Sequence, residues 1–212
     1  MAETIVGLVI LLAVILVSMM LHELAHGYVA YWLGDDTAKE NGRLTLNPLK
    51  HLDPFMSVLL SVILFIAGGP IFGGAKPVPI NTRNLKFNEW GFALVALAGP
   101  MMNFVLAFIG FLISYFAGWW VDNGTMGLIA QEFVMVNLGF GIFNLIPIPP
   151  LDGSRILYAI SPDGVRVFLR EMERWGIFVV LILVVVFGNV FSTLLINAMN
   201  GILNGFYFIV GA

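Results

Sequence analysis

The chain contains no cysteine. A disulfide framework and a thiol nucleophile are therefore excluded, and any metal would have to be held by His, Asp or Glu. Charge is scarce as well: 11% of the 212 residues are Asp, Glu, Lys or Arg, against about 25% in soluble domains. The net charge of −3 provides no basic surface for nucleic acid. Apolar residues take up the difference, at 59% of the chain with a mean hydropathy of +0.95. This is the composition of an all-α polytopic membrane protein, and its length suits a single domain over 1–212. The eighteen Phe and ten Met read as packing and lipid contact.

The apolar pattern predicts about five to six membrane segments, one of them re-entrant. Residues 5–21 carry no charge, and the run continues to Leu33 before stopping at Gly34-Asp35-Asp36, a helix-end signal. The start, Met-Ala-Glu-Thr, lacks the basic flank of a secretory signal, so this run reads as a permanent span. Residues 54–72 are apolar up to the Gly68-Gly69-Pro70 break. Pro77 and Pro79 then alternate, which predicts a short β-like extended segment near 75–81. Long apolar helices are expected at 90–119 and 126–146, the second ended by Pro147, Pro149 and Pro150. A core over about 5–160 is followed by amphipathic and apolar helices over about 161–210, with a break expected at Gly188-Asn189.

Chemistry concentrates at HELAH, residues 22–26. On a helix, His22 and His26 lie one turn apart on one face, as two imidazoles that chelate a tetrahedral zinc ion must. Glu23 sits beside them, placed to take a proton from a water acidified by the ion and return it to a leaving amine. Ionisable groups inside a span are costly and point to function by default. A catalytic site needs a third protein ligand. His51 and Asp152 are the candidates, and Asp152, just past a proline-broken helix end, is favoured by spacing.

Topology constrains the choice. HELAH ends the first span and Asp152 follows the span at 126–146, so both can reach one ion only if those ends share a side. Residues 34–89 must then make no net crossing, and 54–72 should turn back as a hairpin. Lys39, Arg43, Lys50, Lys76, Arg83 and Lys86 lie in this stretch, while the loop at 120–125 has no Lys or Arg. The positive-inside rule places the site toward the cytoplasm and the N-terminus outside.

HELAH at 22–26, AGPMMN at 98–103 and NLIPIPPLDG at 144–153 together resemble the site-2 protease family of intramembrane zinc metalloproteases, in its compact prokaryotic branch without appended domains. GRLTLNPLKHLDP at 42–54 and KPVPIN at 76–81 are similar to that branch too. The resemblance implies one zinc ion on His22, His26 and Asp152, Glu23 as general base, and Asn144 facing substrate. It implies cleavage of single-span membrane proteins or signal-peptide remnants, within or at the edge of the bilayer of a prokaryotic cytoplasmic membrane. Asn103 is expected to pack helices.

A membrane substrate must be unwound, and its backbone then needs new partners. Lys76, Val78 and Ile80 keep N–H donors on one edge of the extended segment, and Val78 and Ile80 are expected to pair with substrate there. Two other classes compete. A divalent-metal transporter would want a second polar station, and the other spans are nearly bare of acids and histidines. A non-catalytic chaperone of membrane segments would be expected to lose one of His22, Glu23, His26 and Asp152.

Overall fold

The computed structural model describes residues 2–51 and 76–211. Seven α-helices form among them: α1 Ala2–Trp32, α2 Thr37–Glu40, α3 Asn88–Phe116, α4 Thr125–Asn144, α5 Asp152–Ile160, α6 Asp163–Arg174 and α7 Gly176–Val210. Four described stretches are long and apolar enough to cross a bilayer: Ile5–Trp32, Asn88–Phe116, Thr125–Asn144 and Gly188–Val210. The shortest, 20 residues, is about 30 Å long at 1.5 Å per residue, which matches a hydrocarbon core. Large apolar side chains such as Val9, Ile109, Ile113 and Leu194 face outward from these helices, as a lipid-contacting surface requires. The protein is a polytopic helical membrane protein.

The fifth or sixth expected segment was the hairpin at 54–72, and it lies outside the described residues. Its flanks are described. The Lys76 N–H donates to the His51 carbonyl at 2.8 Å, and the Lys86 N–H to the Leu33 carbonyl at 2.8 Å. The chain is thus at one place at 51 and 76, and α3 begins beside the end of α1, on the side the topology argument required.

α1 ends where the sequence signals. Gly34 adopts φ +105°, and Asp35 N–H and Gly34 N–H bond back to the carbonyls of Ala30 and Tyr31 at 2.9 and 3.1 Å, a Schellman cap. Two expectations are corrected. No strand forms among the described residues, and 76–80 carries no regular element, because the Lys76 and Val78 N–H groups turn to His51 and Glu23. The break at Gly188-Asn189 is absent, and α7 runs unbroken from Gly176 to Val210. One interior glycine costs a helix only about 1 kcal/mol, too little to interrupt so long an apolar run.

Packing divides between two ends. Away from HELAH, Phe111 is fully buried among Trp120, Phe206 and Tyr207, with Ala107, Val134, Leu138 and Met199 beneath. At the HELAH end, Ala30, Leu85 and Val95 gather Ile80 and Phe92, which seats residues 80–85 on α1 and α3.

Candidate metal centre

Each candidate ligand is placed by a different local device. HELAH falls in the C-terminal third of α1, where helical spacing turns both imidazoles toward α3; the rings are 4.6 Å apart and nearly perpendicular. Asp152 occupies the first turn of α5. That turn is pressed against the end of α4: a Cβ on Gly153 would lie 2.2 Å from the Leu145 carbonyl oxygen, so only glycine allows the approach.

Among the described residues, His22, His26 and Asp152 form a group whose ligand atoms lie within 4.8 Å of one another. The two Nε2 atoms are 3.0 Å apart, and they stand 3.2 and 3.3 Å from Asp152 Oδ2. Bonds of about 2.0–2.1 Å to a tetrahedral zinc separate ligand atoms by about 3.3–3.4 Å, so the three edges fit. Asp152 Oδ2 is buried with no hydrogen-bond partner, and such a group needs a cation. Both histidines are buried.

The far sides of the rings are tied. His26 Nδ1 donates to the Val95 carbonyl at 2.7 Å, just before Pro100 leaves the Ala96 carbonyl without its helical partner. His22 Nδ1 meets Asn103 Oδ1 at 2.6 Å. Asn103, expected only to pack helices, also touches His22. α3 comes so close here that a Cβ on Gly99 would stand 2.4 and 2.5 Å from the Nε2 atoms of His26 and His22.

His51, the rival ligand, lies elsewhere: it is buried, with Nε2 against the Thr45 carbonyl at 2.9 Å. Asn144 is half-buried at the end of α4 and turns its amide back to the Phe140 carbonyl at 3.1 Å. The extended segment does face the centre, but not with free donors. Val78 N–H donates to Glu23 Oε2 at 2.8 Å, and Lys76 N–H is spent on His51. Ile80 packs into the Ala30–Val95 cluster.

Three residues that sequence reasoning passed over hold this arrangement. Arg43 Nη2 donates to the Lys76 carbonyl at 2.6 Å. Asp35, read as part of a turn, is buried and accepts from Asn81 N–H at 2.7 Å, Asn84 Nδ2 at 3.1 Å and the Thr37 hydroxyl at 2.5 Å. Burial pushes its carboxyl up, but these donors outweigh it and hold it below the ordinary carboxylate value. Asn137 lies fully buried behind Asn103. Its only sequence signal is an amide inside a span.

His22, His26 and Asp152 converge as a group that could hold a metal ion, next to the Glu23 carboxylate and among helices long and apolar enough to cross a membrane, which makes this a candidate metallohydrolase centre. The pattern of peptidase family M50 matches residues 119–187, which include Asp152. YwhC of Bacillus subtilis, named as a zinc metalloprotease, is 44% identical over 82% of this chain and 80% of its own length. Rip2 of Mycolicibacterium smegmatis, also so named, is 34% identical over 80% of this chain and 64% of its own. The zinc metalloprotease MJ0392 of Methanocaldococcus jannaschii is 30% identical over 71% of this chain and 34% of its own. No solved structure matches the chain. The chain belongs to peptidase family M50, the site-2 proteases, and is a zinc metalloprotease.

Proposed function

We propose that this protein is an intramembrane endopeptidase that cuts membrane-protein substrates within or at the edge of the bilayer. The observation that carries the reading is the triangle of Nε2, Nε2 and Oδ2 at 3.0–3.3 Å, built on a helix that continues across the membrane. His22, His26 and Asp152 would hold one zinc ion, which when bound supplies Lewis acidity and acidifies water. Glu23 is the proton carrier. Its Oε2 is held by Val78 N–H, which leaves Oε1 to take a proton and pass it to the leaving amine.

The substrates are single-span membrane proteins or signal-peptide remnants, unwound at the site and pairing with Val78, Ile80 and Asn144. Because Val78 N–H already holds Glu23, that donor must be shared or released when substrate arrives. The charge of 34–51 and 76–87, against a loop at 117–124 without Lys or Arg, supports a centre on the cytoplasmic side of a prokaryotic cytoplasmic membrane. The test is cleavage of a library of single-span substrates by the purified enzyme with added zinc. Glu23→Gln should bind zinc as the wild type does and cut nothing. Cleavage by Glu23→Gln, or by zinc-stripped enzyme, would sink the proposal.

A further inference from the structure

A chain of buried polar groups runs from His22 into the middle of the helix bundle. Asn103 Nδ2 donates to Asn137 Oδ1 at 2.8 Å, and Asn137 Nδ2 donates to Ser18 Oγ at 2.9 Å and to the Phe133 carbonyl at 2.8 Å. Ser18, Asn103 and Asn137 are all fully buried. Three amides and hydroxyls inside a bilayer protein are more than helix packing alone asks for, since such bonds average about 0.6 kcal/mol there.

The direction of the chain follows from its far end. A backbone carbonyl can only accept, so Asn137 must present its NH2 to Phe133, and turning the amide over would set oxygen against oxygen. Both Asn137 N–H groups are then used, and its Oδ1 faces Asn103. Asn103 must answer with its own NH2, which leaves Oδ1 toward His22. That oxygen can only accept, so the His22 proton sits on Nδ1 and the Nε2 lone pair is free. His26 reaches the same state in one step, through the Val95 carbonyl.

We propose that Asn137, anchored on Phe133 and Ser18, is a positioning residue of the metal centre that acts through Asn103 to keep His22 oriented with Nε2 toward the ion. The inference rests on His22 being a ligand. Partners one shell out from a metal are worth about 10–100-fold in affinity. Asn137→Leu removes the anchor, frees the Asn103 amide to turn, and should weaken zinc binding about 10–100-fold. A carboxylate presents acceptors on both oxygens and needs no anchor. Asn103→Asp added to Asn137→Leu should therefore restore affinity, which a packing role would not do.

The experiment is competition for zinc against a chelator with the purified detergent-solubilised enzyme, beside circular dichroism and gel filtration. NMR of the zinc-loaded protein should show a slowly exchanging His22 Nδ1–H in the wild type and the rescued variant, and lose it in Asn137→Leu. If Asn137→Leu fails to fold, Asn103→Leu with Asn137→Leu removes both amides together, so that neither is stranded by loss of the other, and carries the same test. Wild-type zinc affinity in a folded Asn137→Leu or in the double Leu variant overturns the relay, as does failure of Asn103→Asp to rescue. His22→Ala separates the two levels. If it keeps wild-type zinc affinity, the ligand assignment itself falls and takes the relay with it. If it loses zinc while folded Asn137→Leu does not, only the relay falls.

Discussion

Gly99→Ala adds one methyl group, and the geometry predicts that it empties the metal centre. The new carbon would lie 2.4 Å from His26 Nε2 and 2.5 Å from His22 Nε2. Non-bonded contact needs about 3.5 Å, so each imidazole would have to retreat by about 1 Å. Metal–ligand distances tolerate only about 0.2 Å. The rings have nowhere to go, because their Nδ1 atoms are held at 2.6 Å by Asn103 and 2.7 Å by the Val95 carbonyl. Zinc affinity should fall at least about 100-fold, or about 2.7 kcal/mol. The assay is zinc per chain by mass spectrometry together with chelator competition, with circular dichroism to confirm helix content. Gly205→Ala is the control, since nothing lies within 4 Å of its added carbon. One tightly bound zinc per chain in folded Gly99→Ala would refute the reasoning, by showing that α3 does not pass where these distances put it.

Three further perturbations probe the surroundings. Val78→Pro deletes the N–H that holds Glu23 and should cut turnover at least about tenfold while leaving zinc content unchanged; unchanged cleavage would show that the contact is idle. Asp35→Ala strands the Asn81 N–H and should cost the 76–86 segment about 2–3 kcal/mol, read as lost hydrogen-exchange protection at Asn81; full protection would refute the clamp. Because the Asp35 carboxyl is held below its unfolded value of about 3.9, its stabilisation is complete above that pH and fades as pH falls through the lower folded value, so the wild-type segment should loosen only below about pH 4. Gly188→Ala should leave thermal stability unchanged or raise it by up to about 1 kcal/mol, since α7 is continuous there and the added carbon has nothing within 4 Å; a clear loss would reinstate the break.

What could be read from the sequence was short-range pattern. His22 and His26 announce themselves because four-residue spacing on a helix needs no tertiary knowledge. That residues 34–89 make no net crossing followed from requiring HELAH and Asp152 to share a side, and the Leu33–Lys86 contact, which sets the start of α3 beside the end of α1, agrees with it. What could not be read was partner choice at long range. Asp35 looked like half of a turn, yet its carboxylate answers Asn81 and Asn84, 46 and 49 residues away. Lys76 and Val78 looked like free edge donors because nothing local says that His51 and Glu23 come to meet them. Asn137 carried only the weak signal of an amide in a span, and its meaning depends on Asn103, 34 residues earlier, pointing at a histidine.

These contacts also explain why so polar a centre can form among lipid-facing helices. Without a hydrophobic force between helices in a bilayer, association relies on close backbone approach and interhelical hydrogen bonds. Here the two are coupled. Gly99 removes the side chain that would keep α3 away from the imidazoles, and Gly153 the one that would keep α5, with Asp152, away from the end of α4. The groups brought near are then bound across helices: His26 to Val95, His22 to Asn103, Asn103 to Asn137, Asn137 to Ser18. Each bond satisfies a group that lipid would leave stranded, so the packing that closes the bundle is the packing that orients the imidazoles. It follows that variants of Gly99 or Gly153 should lose zinc before they lose helix content, and this order distinguishes damage to the centre from damage to the fold.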